Sequence, residues 1–136
     1  MISYELLQSR FDHIWKNYPE PYKSAINERA KKHRIRIITD KSEIHQSVFR
    51  AGQLCGEFYF RLHLIEESEL NRIIIHEIGH FYLEHKRNLK WSDFHWRFWE
   101  NGLLRSIEIR ELILSLEAEL QPIEDEVCRI LQADTQ

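Results

Sequence analysis

Two histidines four residues apart, with a glutamate directly after the first, are the residues of this chain best placed to do chemistry. They form the stretch His76-Glu77-Ile78-Gly79-His80, the pattern H-E-x-x-H. On a helix, positions i and i+4 lie one above the other on a single face. His76 and His80 can therefore direct two imidazoles at one ion, and Glu77, from the neighbouring position, can reach a water beside it. Hydrolytic zinc sites need neutral imidazole ligands, an open coordination position and a carboxylate base next to the water that fills it. The plain alternative is a core helix whose histidines bond to backbone or carboxylates. Leu70, Ile73, Ile74 and Ile75 before the motif, and Ile78, Phe81, Tyr82 and Leu83 within and after it, make the helix apolar nearly all round, which marks it as buried. A glutamate and two histidines buried there are costly unless something satisfies them, and a metal does so.

Catalytic zinc takes a third protein ligand and leaves the fourth position to water. His85 stands five residues after His80, about 140° further round the helix, and points away. The pattern in which a third histidine follows six residues on would need His at 86 and Gly at 83, where this chain has Lys86 and Leu83. His95 remains open, as do Glu108 and Glu111 on the less apolar side of a helix read over 103–121. A carboxylate set in such a helix is costly unless paired or metal-bound. A solvated stripe shared with Arg105 and Arg110 is the bland alternative for these two glutamates.

The elements that must position these groups follow from periodicity. Residues 2–17 carry Ile2, Leu6, Leu7, Phe11, Ile14 and Trp15 near helical spacing. Pro19 and Pro21 end that helix, and Pro21 can start a second over about 21–33. Residues 34–39 alternate charged and β-branched side chains as a strand does, and 47–50 and 57–65 read as two more. In the last, Phe58, Phe60, Leu62 and Leu64 alternate with Tyr59, Arg61 and His63, which puts His63 on a polar face. The motif helix is expected over about 68–86, with Ser68 as N-cap and Glu69 in the first turn. The aromatic-rich stretch 89–101 reads as a lid packed on it. Gly102 ends that piece, and the helix over 103–121 stops at Pro122, which can open a short last helix to about 131. The fold expected is α+β: a sheet of about three strands with helices packed on it and a zincin-like motif helix, the metal site lying between two helices.

At 136 residues the chain reads as a single domain, 1–136, and with 43% hydrophobic residues it can bury a real core. Its net charge of −3 and pI of about 6.2 argue against nucleic acid or an anionic membrane as main partner. The one basic run, Arg29–Arg36, reads as a solvated helix end feeding a strand. Cys55 and Cys128 lack metal-ligand spacing and read as reduced thiols of a cytoplasmic protein. The amino terminus does not resemble a signal peptide, and no segment is long enough to span a membrane.

The stretch Arg72–His85, with a glycine before the second motif histidine and an apolar run ending in His85, resembles the ImmA/IrrE family of metallopeptidases. The upstream order, a helix, the Ile35-Arg36-Ile37-Ile38 strand and a strand leading into the motif helix, is similar too. The family carries a glutamate on the next long helix, and here Glu111 precedes Ala118-Glu119-Leu120-Gln121-Pro122 at about that distance. The resemblance implies Zn²⁺ held by His76, His80 and Glu111, with Glu108 in reserve, and Glu77 as base. It also implies a protein substrate of the repressor type, supplied as a separate chain, since no helix-turn-helix module is present. A second resemblance, to zincins of the SprT type, rests on His95-Trp96-Arg97-Phe98-Trp99 and implies His95 as third ligand.

The function expected is thus zinc-dependent cleavage of a specific regulatory protein. Glu77 would take the proton of the attacking water and hand it to the leaving amine. Tyr82, His85 and His95 are the candidates for stabilising the oxyanion. Imidazole and carboxylate suit manganese, iron and cobalt as well as zinc. The rival of another class is a regulator that keeps the metal for stability and docks through its tryptophan-rich stretch.

Overall fold

The computed structural model describes residues 1–43, 45–51, 55–86 and 91–134, and among these the side chains of all but 51, 84–86, 91–109, 133 and 134. Among the described residues the fold is α+β, with four α-helices and a three-stranded mixed sheet. Helix α1 spans Tyr4–Asn17 and α2 spans Tyr22–Ala30. Strands β1 (Arg34–Thr39), β2 (Ser47–Ala51) and β3 (Cys55–Phe60) follow, then α3 (Glu67–Lys86) and α4 (Trp91–Asp134). The sheet order is β1-β3-β2, with β1 parallel and β2 antiparallel to the central β3. The described helices include none long and apolar enough to cross a membrane.

The period-2 alternation of β3 does what it predicts. Gly56, Phe58 and Phe60 turn inward while Cys55, Glu57 and Tyr59 stay half-exposed. Phe58 and Phe60 meet Leu7, Phe11 and Ile14 of α1 and Ile74, Ile78 and Phe81 of α3 in one core. Phe11, Trp15, Phe49, Phe58 and Phe81 make edge-to-face or tilted ring contacts at its centre, with centroids between 4.8 and 6.3 Å apart. Each fully buried phenylalanine stabilises the fold by roughly 1.5–3 kcal/mol.

Several boundaries differ from expectation for local reasons. Ser3 caps α1 by accepting from the Leu6 amide at 3.1 Å. Helix α3 begins one residue before Ser68, which lies inside its first turn. Strand β3 ends at Phe60, and Leu62–Leu64 form a 3₁₀ turn, so His63 is not on a strand face and lies 3.5 Å from Glu43. Of the basic run, Arg29 is buried: it donates to the Phe81 carbonyl at 2.8 Å and stacks 4.6 Å over the Phe81 ring. Both cysteines are free thiols, Cys128 buried and Cys55 half-buried.

The largest departure is α4, one helix of 44 residues that runs through both Gly102 and Pro122. Proline removes the hydrogen bond to the carbonyl four residues earlier. Here Ala118 and Pro122 are both exposed, so the Ala118 carbonyl is left on the water side. The opposite side carries Leu116, Leu120, Val127 and Leu131, all buried, and that apolar stripe holds the helix together past the missing rung.

α3 and α4 meet at Gly79. A Cβ built there would lie 2.3 Å from Leu120 Cδ1, and Leu120 is fully buried. Gly79→Ala should lower the unfolding free energy by up to about 2 kcal/mol. Overpacking costs about 1–3 kcal/mol, against the roughly 1 kcal/mol that alanine gains over glycine in a helix. Denaturant unfolding of the two proteins measures this; a stabilised variant would mean that the helices do not approach so closely.

Candidate metal centre

One face of α3 presents Arg72, His76 and His80, spaced four apart along the helix. The His76 and His80 rings lie 4.8 Å apart, inclined at 76°. Both turn their Nε2 atoms onto one carboxylate of α4. His80 Nε2 is 2.8 Å from Glu117 Oε1, and His76 Nε2 is 3.3 Å from Glu117 Oε2. One ligand atom from each of the three residues lies within 4.8 Å of the others, close enough together to share one divalent cation. Among the described residues, His76, His80 and Glu117 form the group of this kind.

Glu77 lies beside them, 3% exposed. Ser47 of β2 donates to its Oε1 at 3.0 Å, and that oxygen is 4.0 Å from His76 Nε2. Oε2 is buried and has no hydrogen-bond partner among the described residues. Burial pushes the Glu77 carboxyl above the usual range, and the nearby imidazoles and the Ser47 hydroxyl offset only part of that. The far side of His76 is engaged as well: Nδ1 lies 2.6 Å from Glu124 Oε1. Arg72 bonds Glu124 Oε2 and, at 3.3 Å, Asp125 Oδ1.

These contacts fix the charges. Burial alone would lower the His76 pKa, but the hydrogen-bonded carboxylates of Glu117 and Glu124 outweigh it and hold the ring up to about 10. The imidazoles of His76 and His80 hold Glu117 far below the usual carboxylate range. Without a metal the site is therefore an ion-pair network with His76 protonated at neutral pH.

The group opens on a cavity of about 1210 Å³ whose walls include His45, Ser47, Ile73, Ile113 and Leu131. That exceeds the roughly 300–1,000 Å³ of small-ligand sites.

Of the residues singled out from sequence, His76, Glu77 and His80 come together. Glu111 does not: it is exposed and outside the group, and Glu117 stands in its place. The cause is helical phase. On one helix, Glu111 lies six residues before Glu117 and about 120° away round the axis, so the two cannot face the same histidines. Tyr82 packs its ring against Tyr22, 5.1 Å away, and does not line the cavity. The side chains of His85, His95 and Glu108, and those of the tryptophan-rich stretch, lie outside the described residues.

Glu117 and Glu124 are the residues that the sequence reading missed. They are seven apart, two turns on one face, next to Leu116, Leu120, Val127 and Leu131. Two carboxylates at helical spacing along an apolar stripe were a usable signal, hidden by the assumption that Pro122 ends the helix.

A histidine must be neutral to ligate, so loading the site expels a proton. Titration of Zn²⁺ into metal-free protein at pH 7 should release protons, that of His76 among them, and affinity should rise with pH between pH 6.5 and 8. Calorimetry in buffers of different ionisation enthalpy reads both. The stability of the metal-free protein should change the other way. The raised His76 pKa contributes stability that is complete below about pH 6.5 and fades as pH climbs towards 10. Zinc binding with no proton release would contradict this charge assignment.

No protein-family model, curated protein or solved structure matches this chain.

Proposed function

We propose that the chain is a metal-dependent peptide hydrolase, with His76, His80 and Glu117 as ligands of a divalent cation, zinc first among candidates, and Glu77 as general base. The observation that carries this reading is Glu77, buried beside two imidazoles and a carboxylate that could hold one ion, with its Oε2 unpartnered among the described residues. A buried polar atom without a partner costs about 1–3 kcal/mol, and such atoms call for an explanation in function. A cation bound by these three groups would supply Lewis acidity, polarising a scissile carbonyl and acidifying a water.

The chain's own groups do the rest. Ser47 holds Glu77 by Oε1, the oxygen 4.0 Å from His76 Nε2, and so orients the carboxylate that accepts the proton of the attacking water. The raised Glu77 pKa brings proton affinity closer to working pH, as acid–base catalysis requires. The carboxyl then returns the proton to the leaving amine as the carbon–nitrogen bond breaks, so Glu77 ends as it began.

A polypeptide substrate suits the cavity's size, and β2, an edge strand whose Ser47–Phe49 segment forms part of the wall, offers backbone groups for an extended segment to pair with. The resemblance to ImmA/IrrE peptidases supports a regulatory protein of the repressor type as that substrate, in the cytoplasm.

Glu77→Gln should keep the metal and lower cleavage of a mixed peptide library, read by mass spectrometry, by about 10²- to 10⁴-fold. A variant that retains cleavage at the wild-type rate would remove Glu77 from the chemistry. A metal-loaded wild type that cuts nothing would favour a metal-stabilised docking protein instead.

A further inference from the structure

Glu124 is one of the few buried charged residues of the described chain, 6% exposed, and hydrolysis as outlined above makes no use of it. It stands on α4 two turns after Glu117, and each of its oxygens has a separate partner. Oε1 is 2.6 Å from His76 Nδ1, and Oε2 is bonded by Arg72, one turn before His76 on α3. Asp125 holds the same guanidinium at 3.3 Å, and Gln121 donates to Asp125 at 3.0 Å.

A neutral imidazole has one donor nitrogen and one acceptor nitrogen. A carboxylate facing Nδ1 requires the hydrogen there, which leaves the Nε2 lone pair free on the side where Glu117 and His80 converge. Glu124 is outside the group that could hold the ion: it faces Nδ1, across the ring from the nitrogen that faces Glu117. Arg72 occupies the oxygen of Glu124 that His76 does not, and so holds the carboxylate against Nδ1.

We propose that Glu124, held by Arg72, is a positioning residue: it sets the His76 tautomer that presents Nε2 to the cation. This rests on the metal-centre reading. The competing account is an ion pair that only staples α3 to α4, and a staple would affect thermal stability without affecting metal affinity.

Glu124→Gln preserves size and one acceptor oxygen but lets the amide donate to Nδ1 instead. It should raise the zinc dissociation constant about 10- to 100-fold, measured by competition with a chromophoric chelator. Arg72→Gln loosens Glu124 and should raise the same constant by a smaller factor, with no further effect in the double variant with Glu124→Gln. An unchanged zinc constant in folded Glu124→Gln overturns the proposal. A third measurement needs no variant: in zinc-loaded wild type, ring ¹⁵N shifts should show His76 protonated at Nδ1, and protonation at Nε2 overturns it equally. A wild-type chain that takes up neither Zn²⁺ nor Co²⁺ overturns the metal reading itself. Uptake with unaltered affinity in Glu124→Gln overturns only the role given to Glu124.

Discussion

Charge compensation across the α3–α4 contact is the constraint on which the rest of the structure depends. Helix α3 places His76, Glu77 and His80 among Ile74, Ile75, Ile78 and Phe81, all buried. Ionisable groups taken out of water in this way destabilise a fold unless partners reach them. Two carboxylates on α4 reach the imidazoles, an arginine on α3 reaches back to one of those carboxylates, and a serine on β2 reaches Glu77. Every one of these partners comes from a different turn or a different element, so no single segment could hold the arrangement alone.

That contact in turn requires a small residue. With Leu120 seated against Gly79, the helix surfaces meet without an intervening side chain on α3, and Glu117 and Glu124 fall one on either side of the meeting point. The aromatic cluster of α1, β2, β3 and Phe81 anchors the other side of α3 to the sheet. The motif helix is thus fixed on two sides by apolar packing, and its third side, carrying Arg72, His76 and His80, borders the open cavity. Rigid placement of this kind is what a site needs if its donors are to wait in position for a ligand.

Elements and site were legible to different degrees, for physical reasons. Strong periodicity made α1, β1 and the motif helix readable, because side-chain alternation there is dictated by a single buried face. The three motif residues were readable for the same reason: i and i+4 on one helix is a local relation. The third carboxylate was not local. Its identity depends on the phase of α4 relative to α3, which no pattern within α4 itself gives. The rule that proline stops helices assumes that nothing outside the helix compensates for the lost bond. Leu116, Leu120, Val127 and Leu131 do compensate, by packing on the far side from the exposed proline. Ending the helix at 121 placed Glu124 on a separate element and concealed the pairing of Glu117 with Glu124. Ser47 was hidden differently, since nothing in a short strand announces that one hydroxyl will point at a carboxylate thirty residues away.

Pro122 also sits between the two carboxylates that embrace His76. A rod with one rung missing bends more easily there than elsewhere, and here Glu117 lies upstream of the soft point and Glu124 downstream. The imidazole of His76 therefore acts as a splint laid across a joint. Occupation of the centre tightens the splint on one side only, and so an ion held by side chains near the middle of α4 would be felt along its carboxyl-terminal arm, through Val127 and Leu131, in how firmly that arm lies against the core.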